Sequence, residues 1–170
     1  TPLRIGVLAD LHVGPFKGAP WVEKVVQKMC SLKLDIILLP GDFLFDEKES
    51  LAPLDALKHL QAPLGVFAVA GNHDAGHFID AHNRWRFEND RTHDLDVFLK
   101  DRGITMLRNT SVILEHAGER FALAGIDDLW GESCDLQKAL KDIPQDMQTI
   151  LLTHHPDTIL NPESKRAQLI

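Results

Sequence analysis

Four places in the chain set side chains able to bind a divalent cation within a few residues of one another. They are Asp10-Leu11-His12, Gly41-Asp42, Gly71-Asn72-His73-Asp74 and His154-His155-Pro156-Asp157. Carboxylate, imidazole and amide oxygen together suit ions such as Mn, Fe, Zn, Ni or Co, whereas a structural zinc site would draw on thiolates. The two cysteines, Cys30 and Cys134, lie far apart and form no CxxC pair. Taken alone, an Asp-x-His or Gly-Asp pair is an ordinary strand-end turn, because Asp favours turns. Four in succession, each closing an apolar run, agree on one metal site.

Two metal ions about 3.5–4 Å apart need a shared ligand, typically a carboxylate. Asp42, on the central segment, is the candidate bridge. Asp10 and His12 are two residues apart, so in extended backbone both side chains leave the same face. A phosphate ester repels hydroxide and releases a poor alkoxide leaving group. A cation pair shields the first difficulty and makes hydroxide available near neutrality, and a placed proton donor eases the second. His73 follows the ligand candidate Asn72 and faces elsewhere, so it can reach the leaving-group oxygen as general acid. His154 and His155 both follow the last apolar run and either can be the ligand there, which leaves the other exposed or supporting it.

The elements that deliver these residues can be read from hydropathy. Residues 3–9 (LRIGVLA), 35–40 (DIILLP) and 64–70 (LGVFAVA) are short apolar runs, as expected of strands buried on both faces. Between them, Trp21, Val22, Val25, Val26, Met29 and Leu32 predict a helix over residues 20–33, with Pro20 in its first turn. Leu51, Leu54, Leu57 and Leu60 recur every three residues across a second helix. Alternating strands and helices predict a parallel sheet, with ligands gathered at the carboxyl ends of its strands. Residues 75–91 show no period and read as a loop or short helices over the site. Within them and just beyond, His77, His82, Arg84, Arg86, Arg91 and His93 read one by one as solvated loop, although one or two could touch substrate phosphate.

Residues 92–102 read as a helix capped by Thr92 and stopped at Gly103. The runs ITMLR, SVILEH and RFALAGI then follow closely enough to predict antiparallel pairing. Ser133 is expected to cap a helix carrying Leu136, Ala139 and Leu140, and QTILLT forms a last strand. Trp85 and Trp130 read as buried loop anchors, with stacking on a base or sugar as the alternative. Asp127 and Asp128 read either as a turn or as shapers of the pocket. The final AQLI resembles the opening of another strand.

The 44% hydrophobic and 25% charged composition belongs to a globular chain and excludes a disordered one. A net charge of −7 with scattered Lys and Arg gives no strong nucleic-acid signal. No apolar run reaches the ~18 residues of a membrane span.

The four motifs resemble the calcineurin-like metallophosphoesterases, whose pattern runs D-x-H, G-D, G-N-H-D or G-N-H-E, a lone His, then G-H-x-H. The likeness extends over nearly the whole chain. It implies a four-layer α/β/β/α sandwich of two mixed β-sheets flanked by helices, and two divalent metal ions. By that likeness Asp10 and His12 hold one ion, Asn72 and His154 the other, Asp42 both, and His73 assists the leaving group. Residues 125–130 (GIDDLW) followed by LLTHHPD look like the bacterial subgroup containing membrane-associated phosphodiesterases and UDP-diacylglucosamine pyrophosphatases. The resemblance therefore implies a phosphorylated small-molecule, nucleotide or lipid-linked substrate and a cytoplasmic or membrane-associated location.

Two departures matter. No G-H-x-H follows in the sequence, so one domain over residues 1–170 is expected to lack that C-terminal segment, with three candidate ligands per ion. The family also often carries an acidic residue three after the bridging Asp to orient the catalytic His. Position 45 is Phe, which leaves Asp46, Asp74 or neither for that task. A scaffold that keeps the fold without the chemistry is the rival reading.

Overall fold

The computed structural model describes residues 2–80 and 82–170. In chain order it runs β1 (Ile5–Val7), α1 (Ala19–Cys30), β2 (Ile36–Leu39), a 3₁₀ helix (Ala52–His59), β3 (Val66–Ala68), β4 (His77–Ile79), β5 (Trp85–Phe87) and α2 (Thr92–Lys100). Then come β6 (Thr105–Met106), β7 (Thr110–His116), β8 (Glu119–Gly125), α3 (Leu136–Leu140), β9 (Thr149–Leu152) and two 3₁₀ turns (Pro156–Leu160, Pro162–Arg166). Among these elements, no helix is long and apolar enough to cross a membrane.

Strands β1, β2, β3 and β6 form one sheet in that order, parallel throughout. Strands β7, β8 and β9 form a second, antiparallel between β7 and β8 and parallel between β8 and β9. One apolar layer holds the sheets face to face through Ile36, Leu38, Phe67, Val69, Leu107, Leu123 and Leu152. A second layer joins the first sheet to α1, α2 and the long 3₁₀ helix; a third joins the second sheet to α3. The result is the four-layer α/β/β/α order, with a first sheet that is parallel rather than mixed.

Helix α1 buries Val22, Val26 and Met29, spaced by four and three, on the first sheet. It ends at Ser31, where the hydroxyl takes up the Lys28 carbonyl. The leucine spacing of three has a direct structural reading: a 3₁₀ helix turns every three residues, so Leu54, Leu57 and the adjoining Leu60 line one buried edge.

Several expectations are corrected. Strand β1 lies at the sheet edge with Val7 60% exposed, so it is not buried on both faces. Residues 104–108 do not pair with the antiparallel set: β6 joins β3 in parallel. Residues 75–91 contain an antiparallel hairpin, β4 with β5, instead of helix or bare loop; Ala81 within it lies outside the described residues. Thr92 sits inside α2, whose cap position is Arg91, and Asp90 accepts from the Thr92 N–H. Asp135, not Ser133, caps α3 by accepting from the Lys138 N–H. Gln168 and Leu169 lie alongside β9, where the Leu151 N–H donates to the Leu169 carbonyl at 2.8 Å.

Candidate metal centre

Because β1, β2 and β3 are parallel, their carboxyl ends open on one edge, and the Asp10, Asp42 and Asn72 loops follow directly. These loops are zipped together by backbone bonds. Asp10 N–H donates to Gly41 O, His12 to Asp42 O and Val13 to Phe43 O, at 2.9–3.1 Å. Asp10, His12 and Asp42 have φ of 58°, 43° and 54°. That region costs a non-glycine residue of order 1–3 kcal/mol and persists only where surrounding contacts impose it. Hence the shared direction of Asp10 and His12 does not come from strand alternation; a left-handed turn at each residue sets it.

Glycine at 41 and 71 is a requirement of approach. A Cβ on Gly41 would lie 2.4 Å from Gly71 N, and one on Gly71 would lie 2.1 Å from an Asp42 carboxylate oxygen. The two loops can press together only without side chains. Asp74 then pins them from beneath. Its buried carboxylate accepts from the N–H groups of Phe43, Leu44 and Gly71 at 2.9–3.2 Å. Burial pushes its pKa up to about 7; those N–H donors oppose the rise and the Asp42 charge reinforces it.

Above this floor the polar atoms converge on Asp42, which is 3% exposed. His12 Nε2 lies 3.2 Å from Asp42 Oδ2 and 3.7 Å from Asp10 Oδ1, and His154 Nε2 lies 3.5 Å from Asp42 Oδ1. Two metal-competent triads share that aspartate: His12, Asp42 and His73 in one, Asp10, Asp42 and His154 in the other, with ligand atoms within 4.8 Å of each other. The division differs from the expected one, which put Asp10 with His12 and left His73 outside. Burial opposes ionisation of Asp42, but His12, His154 and the His73 N–H together hold it below its usual range. His12 is lifted, chiefly by its bond to Asp42 and against the effect of burial.

One contact is informative about charge. His154 Nδ1 donates to the Pro40 carbonyl at 2.8 Å, which turns Nε2 toward Asp42 and Asn72. The Asn72 amide donates Nδ2 to the His77 carbonyl at 2.6 Å, which turns Oδ1 inward. Nε2 and Oδ1 meet at 3.0 Å. Oδ1 is an acceptor, and Nε2 is one too in the neutral imidazole that binds metals, so a cation between the two atoms would satisfy both. His12 Nδ1, buried and without a partner among the described residues, is a second unsatisfied group here. The donor set thus fits hard-to-borderline divalent ions.

His73 donates its backbone N–H to Asp42 at 3.0 Å, and its ring Nδ1 lies 2.6 Å from the Phe45 carbonyl. Neither carboxylate considered for orienting it does so. Asp46 accepts from the Lys48 N–H, and Asp74 is spent on the loop floor. The backbone of residue 45 supplies the acceptor that its side chain cannot.

His155 is buried and donates to Asp128 Oδ1 at 2.8 Å, and His77 reaches Asp128 Oδ2 at 3.2 Å. His77 is therefore a tethered residue, not solvated loop. Asp128 was legible only as a turn or pocket residue, because nothing in its neighbourhood signals two distant histidines. Asp127 pairs with Arg108 and Asn109. Trp85 and Trp130, at 52% and 41% exposure, are not buried anchors; they meet edge to face with centroids 5.1 Å apart.

A model of the calcineurin-like phosphoesterases matches residues 3–168, and the chain belongs to that family. It is 30% identical to phosphodiesterase YaeI of Escherichia coli K12, over 93% of this chain and 54% of that protein. It is 28% identical to the UDP-2,3-diacylglucosamine pyrophosphatase LpxG of Chlamydia trachomatis, over 92% of this chain and 58% of that one. The chain thus spans little more than half the length of either. The phosphopantetheinyl hydrolase PptH of Mycobacterium tuberculosis superposes with a TM-score of 0.56 at 16% identity, covering 96% of this chain and 74% of that one, a likeness of fold.

Proposed function

We propose that this protein hydrolyses a phosphoester or phosphoanhydride at a two-metal centre in which Asp42 is the shared ligand. The observation that carries the reading is the convergence of metal-competent atoms from four loops on Asp42, including Nε2 of His154 and the Asn72 oxygen, which face each other at 3.0 Å. Asp10, His12, Asn72 and His154 supply the other ligands. When bound, the ions supply positive charge to the phosphoryl oxygens and bring the pKa of a water to roughly 7. The chain's own part is positional: loops locked by Asp74 hold the ligands, and His73 delivers a proton to the leaving-group oxygen.

The names of the relatives, a phosphodiesterase and a UDP-diacylglucosamine pyrophosphatase, support a diester or nucleotide-linked lipid as substrate. The test is turnover of bis-p-nitrophenyl phosphate by the full-length protein in the presence of Mn, Fe, Zn, Ni or Co. No turnover with any of them refutes the enzyme and favours a binding scaffold.

His73 has a second reading, because it stands in a triad with His12 and Asp42. Elemental analysis of His73→Ala separates the two. A general acid leaves metal content unchanged while the rate on a diester with an alkyl leaving group falls by about 10²–10⁴; a ligand takes metal with it.

A further inference from the structure

Strand β4 carries a residue whose position has no explanation in the packing of the two sheets. The Phe78 ring lies flat on the His73 imidazole, with centroids 4.9 Å apart and planes inclined by 13°. Phe78 is only half-buried, so it is not a core residue that happens to touch a histidine. The rest of the His73 ring is constrained as well. Nδ1 lies 2.6 Å from the Phe45 carbonyl, and His12 stands edge-on with centroids 4.6 Å apart and planes at 87°.

A hydrogen bond at Nδ1 fixes that atom but leaves the ring free to rotate about the line through it. A flat partner on one face removes that rotation. We infer that Phe78 is a positioning residue that sets the plane of His73, so that Nε2 points at the leaving-group oxygen. The inference rests on His73 acting as general acid.

The supporting strand is well anchored for the task. His77 N–H donates to the Asn72 carbonyl at 2.7 Å, and the Asn72 side chain returns a bond to the His77 carbonyl at 2.6 Å. Residues 72 and 77 are thereby clamped to one another, and Phe78, the next residue, is delivered over His73. Arg86, paired with Phe78 across the hairpin, has its guanidinium held by Asp80. That bond ties down the outer strand behind the stacking ring. Stacking is the only contact Phe78 makes to a candidate site residue among the described aromatic pairs.

The experiment compares full-length wild type, Phe78→Leu, Phe78→Tyr and His73→Ala, loaded with Mn, on two diesters of the same phosphate. One releases p-nitrophenolate, which departs without a proton; the other releases an alkyl alcohol, whose oxygen needs one on leaving. Phe78→Leu is expected to lower kcat for the alkyl ester by about two- to tenfold, the range an aromatic pair supplies, and to leave KM and p-nitrophenyl turnover near wild type. Phe78→Tyr, which keeps the ring, restores the alkyl rate to within about twofold.

A second readout needs neither metal nor turnover. In the metal-free protein the His73 ring protons, assigned by their loss in His73→Ala, resonate upfield because of the Phe78 ring current. They move downfield in Phe78→Leu and not in Phe78→Tyr. If His73→Ala slows the alkyl ester selectively but Phe78→Leu slows both esters equally, or leaves the ring protons where they were, the positioning role is wrong while the general acid stands. If His73→Ala slows both esters alike, the general acid fails and this inference falls with it.

Discussion

Asp42 and Asp128 are both buried aspartates set between two histidines, His12 and His154 around the first, His155 and His77 around the second. Both carboxyls are held below their ordinary range by those histidines against the effect of burial. The difference lies in what the histidines face. Around Asp128 each carboxylate oxygen has its own imidazole, at 2.8 and 3.2 Å, and the arrangement is closed. Around Asp42 further metal-competent atoms crowd in: an Asp10 carboxylate oxygen, and the inward Asn72 oxygen facing Nε2 of His154. The same set of one aspartate and two histidines therefore makes a structural tether in one place and a candidate cation site in the other. Counting donors against acceptors distinguishes the two; composition does not.

The comparison is most severely tested at the two aspartates themselves. Asp42→Ala is expected to lower turnover at least about a thousandfold and to release bound metal, because both triads lose their shared member. Asp128→Ala instead leaves the metal content intact. It costs about 3 kcal/mol in urea unfolding, since it strands two partly buried imidazoles, and lowers turnover by no more than about tenfold. Equal metal loss in the two variants would erase the distinction drawn between them.

A smaller effect concerns the floor of the centre. Asp74 has a folded pKa of about 7, above the ordinary 3.8. A raised carboxyl pKa means that the folded state binds the proton more tightly, so this contribution to stability is full below about pH 4. It is lost as pH rises through about 7. In the metal-free protein, Asp74→Asn cannot titrate and removes that slope. Urea midpoints taken between about pH 5 and pH 8 should show wild type losing ground to the variant as pH rises. A constant offset would mean that Asp74 is ionised throughout, held by its three N–H donors.

Much of the fold was open to inspection in the sequence because buried strands and amphipathic helices leave periodic traces. The apolar runs ending at residues 9, 40 and 70, the spacing of Val22, Val26 and Met29, and the α/β alternation all match the structure. The traces failed where pairing is non-local. Nothing within residues 104–108 reveals that β6 enters the first sheet beside β3, because that choice depends on which edge is free. Nor does AGHFIDAHNRWRFENDR announce a hairpin, since its apolar face, with Ile79, Trp85 and Phe87, remains partly exposed. The capping errors at Thr92 and Ser133 have a simpler cause. Asp lies close by in both cases, and an aspartate took the N–H each time.

For the site, the chain by itself determined which candidate ligand types are present, their order, and that each follows an apolar strand, because those properties belong to consecutive residues. Only the tertiary structure decided that Asp42 is the meeting point, that the Phe45 carbonyl takes the place of an acidic side chain at Nδ1 of His73, and that Phe78 covers that ring. The first two depend on distances between residues tens of positions apart, and the third on a hairpin that folds back over its own loop. Such distances are set by the stacking of four layers, the close approach of Gly41 and Gly71, and left-handed turns at Asp10, His12 and Asp42 that the surrounding contacts impose.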